Sequence, residues 1–119
     1  MTNLYRQQIL EHYKHPQHWG SLARPDKEAE VDNPTCGDRI EVDVATKDGK
    51  VQDIAFQGEG CAICIAAASI LGDLLIGLPV SKARAIPQAE LLSELGISPS
   101  PTRLKCALLP LEVATKALA

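Results

Sequence analysis

The sequence predicts an α+β domain, a small three-stranded antiparallel sheet packed with about four to five helices. Three observations carry this. Arg39 to Thr46 and Val51 to Phe56 alternate apolar and polar side chains around Asp48-Gly49, the pattern of a β-hairpin. Cys61 to Ile76 is apolar on nearly every side and rich in Ala, as a helix buried against a sheet must be. Further helical periods follow at both ends of the chain. With 119 residues, 45% apolar and 23% charged, the chain suits one domain over residues 1–119. Disordered, coiled-coil and collagen-like classes are excluded by the same balance.

Each element has a local reason. Asn3 caps a helix from Leu4 to about Lys14, with Tyr5, Ile9 and Tyr13 as its apolar stripe, and Pro16 ends it. Gln17 to Lys27 has no period and reads as a loop. Glu28 to Asn33, where Ala29 and Val31 alternate with acidic residues, supplies the third strand beside the hairpin. The apolar helix closes at Gly77 and Pro79. Pro87 then separates a short turn from a helix over Gln88 to Leu95, which Gly96 stops. Ser98-Pro99-Ser100-Pro101 is a rigid connector. Because proline belongs in a first helical turn, Pro110 predicts a terminal helix that starts near Ala107.

Charge narrows the function. Lys plus Arg total 12 against 15 for Asp plus Glu, a formal charge of -3, so the basic footprint of a nucleic-acid binder is missing. Tyr5, Tyr13, Trp19 and Phe56 are the four aromatic residues, too few for base-stacking platforms. The first residues lack a signal-peptide core and no apolar run approaches the ~20 residues of a membrane span, so a cytoplasmic location is expected. In that reducing compartment four cysteines read as metal ligands or reactive thiols before disulfides.

Three cysteines stand at structural junctions. Cys36 lies two residues from Asp38, so extended backbone turns both side chains to one side, and Gly37 lets the chain bend between them. Cys61 follows Gly58-Glu59-Gly60 at a step from strand to helix, and Cys106 falls just before the expected terminal helix. Both thiols are thereby placed at helix N-termini, where the dipole favours a thiolate. Three thiolates and one carboxylate make a four-coordinate zinc set, or an iron-sulfur set with one weak position. The hard oxygen of Asp38 makes such a site release its contents readily, and Arg39, Arg103 or Lys105 can offset its charge.

Two features compete. Cys61-Ala62-Ile63-Cys64 has the C-x-x-C spacing of a thiol-disulfide redox protein, but that reading leaves Cys36, Asp38 and Cys106 idle. Cys64 itself reads as a core residue, with a reserve or resolving thiol as its alternative. His12, His15 and His18, clustered near the end of the first helix, read as a solvated face or an adventitious metal-binding tract.

Asn33-Pro34-Thr35-Cys36-Gly37-Asp38-Arg39-Ile40, Phe56-Gln57-Gly58-Glu59-Gly60-Cys61-Ala62-Ile63 and Arg103-Leu104-Lys105-Cys106-Ala107 resemble the U-type iron-sulfur cluster assembly scaffolds (IscU, NifU N-terminal domain, SufU). Leu4-Tyr5 through His12-Tyr13-Lys14-His15-Pro16 is similar to that family's opening helix. The resemblance spans nearly the whole chain and implies the IscU/NifU-like fold. It implies that Cys36, Cys61 and Cys106 accept sulfur from a cysteine desulfurase and that, with Asp38, they hold zinc or a transient [2Fe-2S] cluster passed to apo-proteins. It thus implies a scaffold or sulfur carrier rather than a conventional enzyme, or a zinc-dependent sulfurtransferase of the SufU type. Lys105 stands where the IscU branch typically carries histidine, and the Leu-Pro-Pro-Val-Lys chaperone segment of that branch has no counterpart here. The 44 residues between Cys61 and Cys106 leave out the extra segment SufU proteins carry there.

Overall fold

A computed structural model of the chain describes residues 3–33, 37–96 and 101–119. Within it α1 (Asn3–Lys14) leads to β1 (Lys27–Asn33), β2 (Asp38–Lys47) and β3 (Lys50–Glu59). Then come α2 (Ala62–Leu75), α3 (Val80–Arg84), α4 (Gln88–Leu95) and α5 (Pro101–Leu118). The expected α+β class and antiparallel sheet are present, with β2 between its two neighbours.

The hairpin forms for the reason its turn announces. Asp48 and Gly49 both take positive φ, 55° and 75°, which matches the twist of the flanking strands in a two-residue turn. Register then places Val42 opposite Phe56 and Val44 opposite Ile54, so one face of β2 and β3 is continuous hydrocarbon. On that face Ile40, Val42, Val44, Ile54 and Phe56 are buried against α2 and α5. Each such side chain contributes about 1.5–3 kcal/mol on leaving water. The Ala66-Ala67-Ala68 run lets α2 approach closely, and Ser69 is its one buried polar residue among those described.

The structure changes three expectations. The terminal helix begins at Pro101 rather than near Ala107, with Pro110 inside it. A proline there costs ~3 kcal/mol or more, yet Cys106, Ala107, Leu109, Leu111, Val113, Ala114, Ala117 and Leu118 are all buried along α5, and that packing outweighs it. Tyr13 does not continue the apolar stripe of α1: it is 44% exposed, while Ile9 is in the core.

His12 and His18 do not form a solvated face. His12 Nδ1 lies 2.6 Å from Ser69 Oγ, which also accepts the Gln17 N–H at 2.8 Å, and His18 Nε2 lies 2.7 Å from Asp73 Oδ1. His15 is exposed as expected. These bonds fix the segment after α1 along the free edge of β3, where the Phe56 N–H donates to the His18 carbonyl and the Gly20 N–H to the Phe56 carbonyl. Ser98, Pro99 and Ser100 of the expected connector lie outside the described residues, as does Cys36. No described helix is long and apolar enough to cross a membrane.

Candidate metal centre

Three elements converge at one end of the sheet. Asp38 is the first residue of β2, Cys61 caps α2 directly after β3, and Cys106 sits in the second turn of α5. One ligand atom from each, a carboxylate oxygen and two sulfurs, all lie within 4.8 Å of one another. Asp38 is 6% exposed and Cys106 3%, while Cys61 is half-buried.

Glycines make the convergence possible. Gly37 enters β2 with a φ of 76°, which turns the chain into Asp38. A Cβ on Gly60 would stand 3.1 Å from the Cys64 sulfur and 3.5 Å from the Asp38 carboxyl carbon, so the missing side chain is what lets these groups share the space behind Cys61.

The electrostatics point to a cation. Asp38 Oδ2 is buried and has no hydrogen-bond partner among the described residues. A carboxylate oxygen without a partner costs free energy unless a positive charge or a donor meets it. A carboxylate oxygen of Asp38 lies with the sulfurs of Cys61 and Cys106, and two sulfurs with one oxygen suit zinc or iron-sulfur iron rather than the all-oxygen shells of calcium or magnesium. The amino end of α2 adds partial positive charge beside Cys61.

Other sequence-predicted residues fall elsewhere. Arg39 does not offset the charge of the site: it is on the opposite face of β2 and holds Glu30 through two bonds, Nε to Oε1 at 2.8 Å and a second guanidinium nitrogen to Oε2 at 3.0 Å. Cys106 does not sit at a helix N-terminus, because α5 starts five residues earlier. Lys105 is exposed and lines a groove of about 710 Å³ with Asn33, Ile86, Leu104 and Leu108. Cys64 is fully buried, as a core residue would be, but its sulfur lies on the Asp38 side. No disulfide joins it to Cys61. In the sequence Gly58 and Gly60 stand out only as neighbours of Cys61. Their Gly-x-Gly-Cys spacing was the available signal of a crowded site.

A sheet with helices packed against it and a carboxylate-dithiol cluster at its end offers a donor set suited to thiolate-metal chemistry. Comparison with known proteins agrees. The chain belongs to the NifU-like N-terminal domain family, whose model matches residues 4–119. It is 31% identical to the zinc-dependent sulfurtransferase SufU of Bacillus subtilis, covering 100% of this chain and 92% of that one. That alignment runs over 138 positions, so the relative carries residues with no counterpart among the 119 here. The iron-sulfur cluster assembly scaffold protein IscU of Streptococcus pyogenes is 33% identical, over 92% of this chain and 79% of that one. Among solved structures, the N-terminal part of a nitrogen-fixing NifU-like protein from Brucella abortus superposes with a TM-score of 0.78 at 26% identity, covering 96% and 91% of the two chains.

Proposed function

We propose that this protein, acting as a single domain, accepts sulfur from a cysteine desulfurase and builds or relays a labile [2Fe-2S] cluster at Cys36, Asp38, Cys61 and Cys106. The observation that carries the reading is the meeting of Asp38, Cys61 and Cys106 within 4.8 Å, with a buried carboxylate oxygen left for a cation. Cys61, half-buried where Cys106 and Asp38 are buried, is the thiol an incoming persulfide reaches first, and its attack on the outer sulfur moves that atom onto this chain. Cys106 and Asp38, more deeply set, hold iron as it arrives with the sulfur. The single hard oxygen keeps the product exchangeable, so the cluster leaves for apo-proteins or carriers. The setting is a reducing one, the cytoplasm, where these thiols stay available. Nucleic acid and membrane have no part in it.

A second reading has its own support in the likeness to the Bacillus sulfurtransferase. In that reading Cys36, Asp38, Cys61 and Cys106 hold zinc, and a bound Zn(II) keeps thiols in the thiolate form that attacks a persulfide. Metal and acid-labile sulfide in anaerobically purified protein, before and after incubation with iron, cysteine and a desulfurase, separate the two. Iron and sulfide at about two per chain or dimer, lost in Cys106→Ser, support the scaffold. Tightly held zinc at about one per chain, with faster desulfurase turnover and no cluster, supports the sulfurtransferase. Neither cluster, zinc nor any effect on the desulfurase overturns both.

A further inference from the structure

Cys61-Ala62-Ile63-Cys64 is the reactive motif to which the function above gives only half a task. Cys61 caps α2 and is partly exposed, while Cys64 is one turn further on and fully buried. The Ile65 N–H donates to the Cys61 carbonyl at 3.0 Å, so the first turn of the helix closes through Cys61. Residues three apart in a regular turn have Cβ atoms ~5–6 Å apart, whereas a disulfide needs ~3.5–4.5 Å. The bond therefore requires a small shift of the Cys61 backbone, which is extended rather than helical at the cap, together with a rotamer change. Gly60 supplies the independent observation. Because a Cβ there would meet both the Cys64 sulfur and the Asp38 carboxyl carbon, at 3.1 and 3.5 Å, the buried sulfur faces the metal-binding end of the domain.

A persulfide delivers sulfur two electrons above the level of sulfide, and a cluster is built from sulfide. We infer that Cys64 is the resolving thiol for a persulfide on Cys61. The Cys64 sulfur attacks the Cys61 sulfur, a Cys61–Cys64 bond forms, and the bond between Cys61 and the carried sulfur breaks. The departing sulfur keeps the electron pair of that broken bond and takes the Cys64 proton, leaving as hydrogen sulfide. Across the two cysteines a dithiol has become a disulfide, and its two electrons have gone to the transferred sulfur. A small-molecule or protein dithiol restores the pair. The burial of Cys64 shields it from bulk thiols, so its accessible partner is the sulfur carried by its neighbour. Cys106, whose sulfur lies within 4.8 Å of that of Cys61, is the competing resolver. This inference rests on the sulfur-accepting reading.

The test is a single turnover. The full-length protein is loaded by a desulfurase and cysteine without iron, stripped anaerobically of enzyme and small thiols, and followed by sulfide release and intact mass. Wild type is expected to release about one sulfide per loaded chain with no added reductant, ending two hydrogens lighter than the reduced protein with the bond mapped to Cys61 and Cys64. Cys64→Ser and Cys64→Ala are each expected to keep the extra sulfur on Cys61 and to release sulfide at least about tenfold more slowly. Their loading reports that both remain folded. Release at the wild-type rate from both loaded variants, or a bond mapped to Cys61 and Cys106, overturns the inference alone. If no chain gains sulfur, the sulfur-accepting reading falls with it.

Discussion

Gly58 lies so close to Arg39 across the β2–β3 pairing that a Cβ at 58 would overlap the Arg39 carbonyl oxygen. Its φ of +143° is one that other residues rarely adopt. This approach draws together the strand ends that present Asp38 and Cys61. Gly58→Ala is therefore expected to lower unfolding stability by roughly 3 kcal/mol, from backbone strain and overpacking together. Urea unfolding measures the loss, and metal binding should fall with it. A variant of wild-type stability would show that the strands separate at little cost.

Asp38 is buried with one oxygen unpartnered among the described residues. Without metal, Asp38→Ala removes that desolvated group, so the apo-protein is expected to gain about 1–3 kcal/mol. With metal or cluster bound, loss of the hard ligand leaves sulfur alone, and release to a chelator should slow. Faster release than wild type would contradict the part given to the carboxylate.

Ser69 and Asp73 both fasten the segment after α1, yet their substitution should differ. Ser69→Ala strips a fully buried oxygen from the Gln17 N–H and from His12, an expected cost of about 1–3 kcal/mol. The Asp73 side chain is 56% exposed, so Asp73→Asn should stay within about 1 kcal/mol. Thermal melts of the two variants decide the order.

Glu30 titrates below its ordinary value of 4.5, first because Arg39 hydrogen-bonds its carboxylate and then through the charge of the same group. A carboxyl whose folded value is depressed contributes stability above its unfolded value and loses it as pH falls through the folded one. The pair is exposed, so the contribution is small and screened by salt. NMR titration should find the Glu30 midpoint moving upward in Arg39→Gln, and the acid limb of the stability curve becoming slightly flatter. An unmoved midpoint would refute the assignment.

Much of this was legible in the chain because the causes were local. Asp48-Gly49 announced its turn through residues that tolerate positive φ, and Gly96 ended α4 in the left-handed conformation for the same reason. Pro110 misled because its local cost is real while the compensation is not local. The buried residues along α5 pack against α2 and the sheet, and neighbours in the chain carry no record of that. His12 and His18 misled likewise, since their partners Ser69 and Asp73 lie more than fifty residues away.

The alternation of β2 and β3, the buried character of α2 and the donor types available to a metal were written in the chain, since each depends on residue type and near neighbours. That Asp38, Cys61 and Cys106 meet, that Arg39 turns away from them, and that the Cys64 sulfur lies against Gly60 on the Asp38 side came from the packing of distant segments. Periodicity tells which face of an element is apolar. The site depends on which elements share that burial, and strand register with the packing of α2 and α5 settles it.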